Sequence, residues 1–564
     1  MRLQFGDCTF DSEARTLRRL GADVRLSGKA FQLLETLLQA RPKVLSKEEL
    51  FSRIWPDTFV SEANLAGLVK EVRAAIGDAA RAPRYIRTAH RFGYAFSGEV
   101  AELAGERKRL DSVAVLPFTN LSGNPDYDFL VEGAAESLIN TLAAVDGLRV
   151  TPRSTSFRYR GREGELSILR SELNVSAIIT GRLRLAGERV NLQVEVIDIA
   201  RDTQLWGRQF DGAASRVLEL NDDVGREVTV ALGRSAPPAA PHSRARYAAN
   251  NEAYQLYLKG RHHWNRRTLE GIERGIFYFQ SAIDADAGFA PAYSGLADSY
   301  IALASRDLFP PAQLFPKAET AANKALEIDA ELPEAHASIA AINDVFHWNW
   351  PAARGAFETA LRLNPSYVTA RAWYAQALGN RGEFEPAQQQ FAIALENDPL
   401  SVMLNTSIGS VHYLAGKNDQ AVTYLLRALE INPHHEPAHF ILGLVHQEEA
   451  RTAEAARELE RSYAISHGEP HSVAALGHLG AKLGDHAEAG KRIIELTELA
   501  STRHVSPVHF ATILAGLGDL DGAFTWLEKA VEERSGWLTY VRREPRFREL
   551  RKDGRWAAVM REMR

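Results

Sequence analysis

At 564 residues the chain has room for three or four domains with sizeable cores, and its 45% hydrophobic and 25% charged residues exclude general disorder. The single cysteine, Cys8, excludes an intramolecular disulfide framework. There is no signal-peptide pattern or apolar run of ~18 residues, so a cytoplasmic chain without a membrane span is expected. The formal net charge of −5 is unevenly spread: residues 1–97 carry sixteen Lys and Arg against eleven Asp and Glu, which leaves the rest strongly acidic.

The first elements are short. LQFG, CTFD, TLRRL and DVRLS alternate in polarity and are separated by glycine or polar pairs, which predicts a small antiparallel sheet. KAFQLLETLLQA then predicts an amphipathic helix with Phe31, Leu34, Leu37 and Leu38 inward. SKEELFSRIW predicts a second helix, closed by Trp55. In SEANLAGLVKEVRAAIGD, Leu65, Val69, Val72 and Ile76 form one apolar stripe, predicting a third helix over 62–76. Ser61 is placed to cap it, Glu62 suits its dipole and Gly77 ends it. PRYIRTAHRFGYAF predicts a hairpin of Tyr85–Arg87 and Tyr94–Phe96, with a mostly cationic tip.

In the order and spacing of these elements, residues 1–97 resemble the winged-helix DNA-binding domain of the OmpR/PhoB type. The marks are Trp55, the IGD that ends the third helix and the RYIRT…GYAF hairpin. The resemblance implies that the third helix enters the major groove, with Asn64, Gly67, Lys70, Glu71 and Arg73 on its exposed face. It also implies that Arg87, Thr88, His90, Arg91 and Tyr94 of the wing reach the neighbouring minor groove or backbone. Glu71 departs from the pattern: a carboxylate can accept from a cytosine amino group but repels phosphate.

Residues 98–110 read as a charged linker, where membrane-anchored regulators of the CadC/ToxR type carry a span. Residues 111–233 then alternate strands and helices. SVAVLPF is a buried strand, EGAAESLINTLAAV a helix and LRVTP a strand. VSAIITGRLRLAG and RVNLQVEVIDI form a hairpin around Gly187, TQLWGRQFD is a further strand and residues 214–232 a closing helix. This region resembles a TolB N-terminal-like α/β domain, a resemblance that brings no settled chemistry. A Pro/Ala-rich linker occupies 234–249.

From residue 250 the chain repeats. Ala353, Ala387, Ala421, Ala455, Ala489 and Ala523 recur every 34 residues, and so do Ala360, Ala394, Ala428, Ser462, Leu496 and Ala530. Pro365, Pro399 and Pro433 mark the turns between copies. The period identifies an all-α tetratricopeptide solenoid of about eight helical pairs, whose inner surface is expected to receive a protein or peptide. Tyr257, Trp264, Tyr278, Trp348, Trp350, Trp373 and Tyr374 serve chiefly as packing between repeats and secondarily as ligand contacts. The last segment, EPRFRELRKDGRWAAVMREMR, is expected to be a basic amphipathic capping helix with Phe547, Leu550, Trp556 and Met560 inward.

No GxxxxGK[ST] or GxGxxG phosphate loop occurs, and GLGDLDG at Gly516 has the wrong spacing. Asp126, Asp128 and Glu132 are better dipole partners of a helix than metal ligands. His435, Glu436 and His439 match HExxH, but Pro433 and Pro437 put them at a repeat boundary. No enzyme, cofactor or metal is expected. The whole resembles HilA-like activators: a multidomain, one-component, sequence-specific regulator of bacterial signal transduction, without a receiver. Promoter DNA is the expected partner of its first domain, and RNA polymerase or another protein or peptide that of its repeats; a homo-oligomer on DNA is compatible with this plan. The competing reading is a tetratricopeptide scaffold whose winged helix binds protein.

Overall fold

The computed structural model describes residues 2–12, 16–55, 60, 62–79, 81–90, 92–102, 110–162, 164–213, 217–234, 251–305 and 308–563. Two compact units result, Met1–Arg109 and Leu110–Arg564. The first opens with antiparallel strands β1 (Arg2–Phe5), β2 (Cys8–Asp11), β3 (Thr16–Arg19) and β4 (Ala22–Val24). Strand alternation turns Leu3, Phe5, Cys8, Phe10 and Leu17 inward, and the register sets Phe10 opposite both Leu3 and Leu17. Then come α1 (Gly28–Ala40), β5 (Leu45–Ser46), α2 (Lys47–Ile54), α3 (Glu62–Ile76), β6 (Ile86–Ala89), β7 (Gly93–Phe96) and β8 (Ala101–Glu102). Ser27 caps α1, while Ser46 and Glu49 form a reciprocal capping box on α2. The expected cap of α3, Ser61, lies outside the described residues. The linker expectation for 98–110 needs correction at its start: β8 pairs with β1, Leu3 opposite Glu102 and Gln4 opposite Ala101. The free edge of β1 supplies the unpaired main-chain groups that draw it there.

The second unit begins with β9 (Ser112–Val115), β10 (Thr119–Asn120), α4 (Asp128–Ala143), β11 (Arg149–Val150), α5 (Arg153–Ser156) and α6 (Leu166–Leu173). It continues through β12 (Ala177–Ala186), β13 (Arg189–Asp198), β14 (Thr203–Ala213) and α7 (Val217–Ala231). The sheet order is β11-β9-β12-β13-β14, with β10 beside β12. Strand β9 lies parallel to both neighbours and is buried along its whole length, which explains the apolar run that follows Ser112. Helices α4 and α7 cover one face through Leu138, Leu142, Val224 and Val228. On the other face Leu169 and Leu173 of α6, a helix without a strong sequence signal, meet Ala114, Leu116 and Ile178.

Eight helical pairs follow: α8 (Asn251–Trp264) with α9 (Leu269–Ala285), α10 (Ala290–Ala304) with α11 (Pro311–Ile328), α12 (Pro333–Val345) with α13 (Trp350–Leu363), and α14 (Val368–Arg381) with α15 (Phe384–Asn397). The others are α16 (Val402–Leu414) with α17 (Asn418–Ile431), α18 (Glu436–Glu448) with α19 (Thr452–Ser466), α20 (Pro470–Lys482) with α21 (His486–Ala500), and α22 (Pro507–Leu517) with α23 (Leu520–Glu532). Every residue of both 34-residue series, from Ala353 to Ala530, is fully buried, so the period marks where helices touch. Trp264, Trp348 and Tyr374 are buried as well, and Tyr257 packs on Phe279 and Phe289. In the HExxH segment, Nδ1 of His439 meets Glu458 at 2.6 Å and its Nε2 meets the Pro433 carbonyl at 3.0 Å. Glu436 accepts from Ser462 and contacts His471.

The C-terminal segment is not the single amphipathic helix expected. After α24 (Leu538–Val541), which precedes it, the segment breaks into two 3₁₀ turns at Pro545–Phe547 and Leu550–Lys552 and α25 (Arg555–Glu562). The extended backbone of Asp553 interrupts any continuous helix between them. Phe547 and Leu550 are buried as expected, but Val559 of α25 and Met563 just beyond it are buried, whereas Trp556 and Met560 are only half-buried.

The sheet region and the array share an interface. Phe129 and Leu130 of α4 join the core of α8 and α9, and Glu136 binds Arg153 and Arg261. Asp398 accepts from Ser154 and Thr155, and Ser366 donates to the Ala143 carbonyl. Beside these contacts lies a cavity of about 860 Å³ lined by Glu136, Tyr257, Arg261, Asp298 and Glu334, among others. Burial pushes the Glu132 carboxyl up, but the hydrogen bond to His262 and the charges of Arg153, His262 and Arg160 outweigh it and leave its pKa at about 2. A carboxylate held low in the folded state stabilises in full above its ordinary value of 4.5, and that stability is lost as pH falls toward 2. The melting temperature of Glu132→Gln should therefore fall less steeply than that of the parent from pH 4.5 to 2. Parallel pH profiles would contradict this.

Candidate nucleic-acid interface

The apolar stripe of α3 fixes its orientation. Leu65, Val69, Val72 and Ile76 are at most 2% exposed, so the opposite face turns outward. Asn64, Gly67 and Lys70 stand exposed on that face, and a methyl group placed on Gly67 would meet nothing within 4 Å. A groove-entering helix needs such relief, since bulk there would hold it away from the base edges. Among the described residues, no hydrogen bond or ion pair engages the Lys70 ammonium.

Glu71 and Arg73, expected as contact groups, are committed within the domain. Glu71 accepts from the Ser27 main-chain N–H at 2.7 Å and from its hydroxyl at 3.0 Å, tying α3 to the N-terminus of α1. Arg73 donates to the Ile86 carbonyl at 2.7 Å and to the Thr88 hydroxyl at 3.0 Å, and its side chain is 13% exposed. A guanidinium spent on a carbonyl and a hydroxyl positions the hairpin on α3 rather than reaching phosphate. Both side chains are held within the domain because each lies at the edge of the stripe, where neighbouring elements come within bonding distance.

The hairpin is made by β6 and β7, with Thr88 opposite Tyr94 and Ala89 opposite Gly93. It begins one residue later and extends farther toward the tip than the sequence suggests. Glycine is required at 93, because a Cβ there would stand 1.9 Å from the Leu45 carbonyl oxygen on β5. Arg87, Thr88 and His90 are exposed and Tyr94 is half-buried. Arg91 lies outside the described residues. The geometry thus brings Lys70 of α3 together in one small domain with a hairpin that bears Arg87 and His90, and Arg73 is the strut between them.

Sequence reasoning passed over Asp78. Its side chain is fully buried; Oδ1 accepts from the N–H groups of Arg84 (2.6 Å) and Tyr85 (3.2 Å), and Oδ2 from that of Ile86 (2.9 Å). The Arg73 Nε lies 3.7 Å away. One carboxylate therefore gathers the end of α3, the entry to the hairpin and the strut. The only sequence signal was its place in IGD.

No helix among the described residues is long and apolar enough to cross a membrane. Residues 21–96 match the family described as "Transcriptional regulatory protein, C terminal", and residues 347–401, 375–436 and 406–470 match "Tetratricopeptide repeat". Transcriptional regulator HilA of Salmonella typhi is 22% identical over 411 residues, 72% of this chain and 72% of HilA. Transcriptional regulatory protein PcoR of Escherichia coli is 36% identical over 89 residues, 16% of this chain and 39% of PcoR. Putative adenylate cyclase 3 of Rhizobium meliloti (strain 1021) is 28% identical over 187 residues, and the match spans 33% of this chain and only 32% of the cyclase. The chain carries an OmpR/PhoB-type DNA-binding domain at its N-terminus and tetratricopeptide repeats at its C-terminus, and is related over 72% of its length to HilA-like transcriptional regulators.

Proposed function

We propose that the chain is a one-component, sequence-specific transcriptional regulator acting in the cytoplasm. In this reading α3 enters the major groove of promoter DNA with Asn64 toward the base edges and Lys70 toward the phosphates, Gly67 giving close approach. The hairpin holds the flanking backbone through Arg87, Thr88, His90, Arg91 and Tyr94. The repeats and the sheet region before them receive a protein or peptide, RNA polymerase being one candidate, with a homo-oligomer forming on DNA. Residues 1–97, 111–233 and 250–564 serve as the three working parts, and no catalytic role is assigned.

The observation that carries the reading is the outward face of α3, with Asn64, Gly67 and Lys70 exposed and Glu71 drawn away to Ser27. Glu71, whose carboxylate would repel phosphate at the groove, is drawn toward Ser27 and away from the outward face, which supports the DNA-binding reading over the scaffold alternative. Mobility shifts of the full chain on promoter DNA test it. Affinity should fall steeply between about 50 and 200 mM salt. Lys70→Ala and Arg87→Ala should each weaken binding across sequences and flatten the salt slope by about 1. A chain that shifts no DNA even at low salt would leave the scaffold reading in possession.

A further inference from the structure

Residues 534–553 lie across the first helices of six successive pairs. The Arg534 guanidinium donates to the Phe346 carbonyl at the end of α12 (3.1 Å), and that of Arg543 to the Arg381 carbonyl at the end of α14 (3.4 Å). Glu544 accepts from Tyr413 of α16 (2.7 Å), and Arg548 pairs with Glu448, the last residue of α18 (2.8 Å). The Trp537 ring stacks on His471 of α20, with centroids 5.8 Å apart, and meets His509 of α22 edge-on at 5.0 Å. Even fully extended, residues 534–548 span no more than ~50 Å, and α24 with the turn at Pro545 makes them shorter. One short stretch reaches six helices only because the face they form curves inward. This is the surface on which a stacked array takes its partners.

The chemistry of the face is specific. Arginines sit at the C-terminal ends of three first helices, where main-chain carbonyls and helix dipoles favour a cation. The segment 534–555 carries eight Lys and Arg against three Asp and Glu, while the chain without residues 1–97 is acidic overall. Trp537 adds an aromatic anchor between two histidines. A peptide rich in arginine with an interspersed aromatic ring would satisfy the same groups.

We infer that residues 534–553 are a resident ligand of this inner face, so that an arginine- and aromatic-bearing segment of a partner protein docks there only by displacing them. The inference rests on the reading of the array as a protein-interaction surface. It gives the regulator an intrasteric gate: recruitment through the inner face is set by competition between the chain's own segment and the partner's.

The probe is a fluorescein-labelled peptide with the sequence of residues 534–553, followed by anisotropy. It is titrated into the full chain, into full-length Trp537→Ala/Arg548→Ala, and into a chain ending at Glu533. The expected result is at least tenfold tighter binding to the double variant or to the shortened chain than to the intact chain. Hydrogen exchange in α14, α16 and α18 should rise in the double variant and fall again when the peptide is added. Equal affinity for all three chains, or binding to none, overturns the gate. DNA mobility shifts on the same preparations separate the outcomes, because retained DNA binding with no peptide binding removes the gate and leaves the DNA-binding reading standing.

Discussion

Replacing Asp78 by alanine is expected to cost the N-terminal domain about 3–5 kcal/mol, and with it most DNA binding, although Asp78 is buried and touches no groove. The carboxylate accepts three main-chain N–H groups from Arg84, Tyr85 and Ile86 and lies 3.7 Å from the Arg73 Nε. Alanine leaves those donors without their acceptor and a nearly buried guanidinium without the carboxylate charge beside it, and an unmade buried hydrogen bond alone costs about 1–3 kcal/mol. The individual costs do not add, because the hairpin shifts and water enters. Against a total stability of ~5–15 kcal/mol the loss is still large. Asp78→Asn keeps the shape and one acceptor oxygen, so its cost should be intermediate. Urea denaturation followed by exchange at the amides of residues 84–86 measures the effect. Unchanged amide protection and unchanged DNA affinity in the alanine variant would show that the hairpin is held by other contacts.

That example shows where sequence was readable and where it was not. The stripe from Leu65 to Ile76 determined both the bounds of α3 and its outward face, because periodic burial is written residue by residue. The 34-residue series located α13, α15, α17, α19, α21 and α23 for the same reason: small residues recur where two helices must approach. The intradomain bonds of Glu71 and Arg73 were not legible because their partners, Ser27 and Thr88, are 44 and 15 residues away, and no local pattern says that a polar side chain at a stripe's edge will turn inward. Strand β8 and helix α6 escaped for a related reason: two residues pairing with an edge and one short helix carry too little periodicity to register. The C-terminal segment was readable in its apolar residues and not in its path. Phe547 and Leu550 announce burial, but the six helices that receive the segment lie scattered over some 170 residues.

The segment's path depends most on one buried ion pair within it, whose carboxylate also holds the Tyr413 hydroxyl of α16, and Glu544→Ala should be its most damaging single change. The Glu544 carboxylate is 6% exposed; Oε1 accepts the Tyr413 hydroxyl at 2.7 Å, and the Arg546 Nε reaches both oxygens at 2.9–3.0 Å. Alanine strands the Arg546 guanidinium, itself 8% exposed, in a site with no other acid in contact among the described residues. Breaking a buried pair from one side costs about 3–5 kcal/mol. The half-exposed pair of Arg555 with Asp553 nearby is screened by water and contributes little. Stacked repeats open locally, so the loss should appear as faster exchange in residues 534–553 and in α14, α16 and α18 while the remaining pairs stay protected. If the stranded charge is the cause, Glu544→Ala/Arg546→Met should recover much of the lost stability, since a methionine fills similar space without a charge to solvate. Tyr413→Phe, which removes one donor from a carboxylate that keeps Arg546, should cost about 1.5–3 kcal/mol. A double variant as unstable as Glu544→Ala alone would mean that the segment is held by the packing of Phe547 and Leu550, with the ion pair setting only its register.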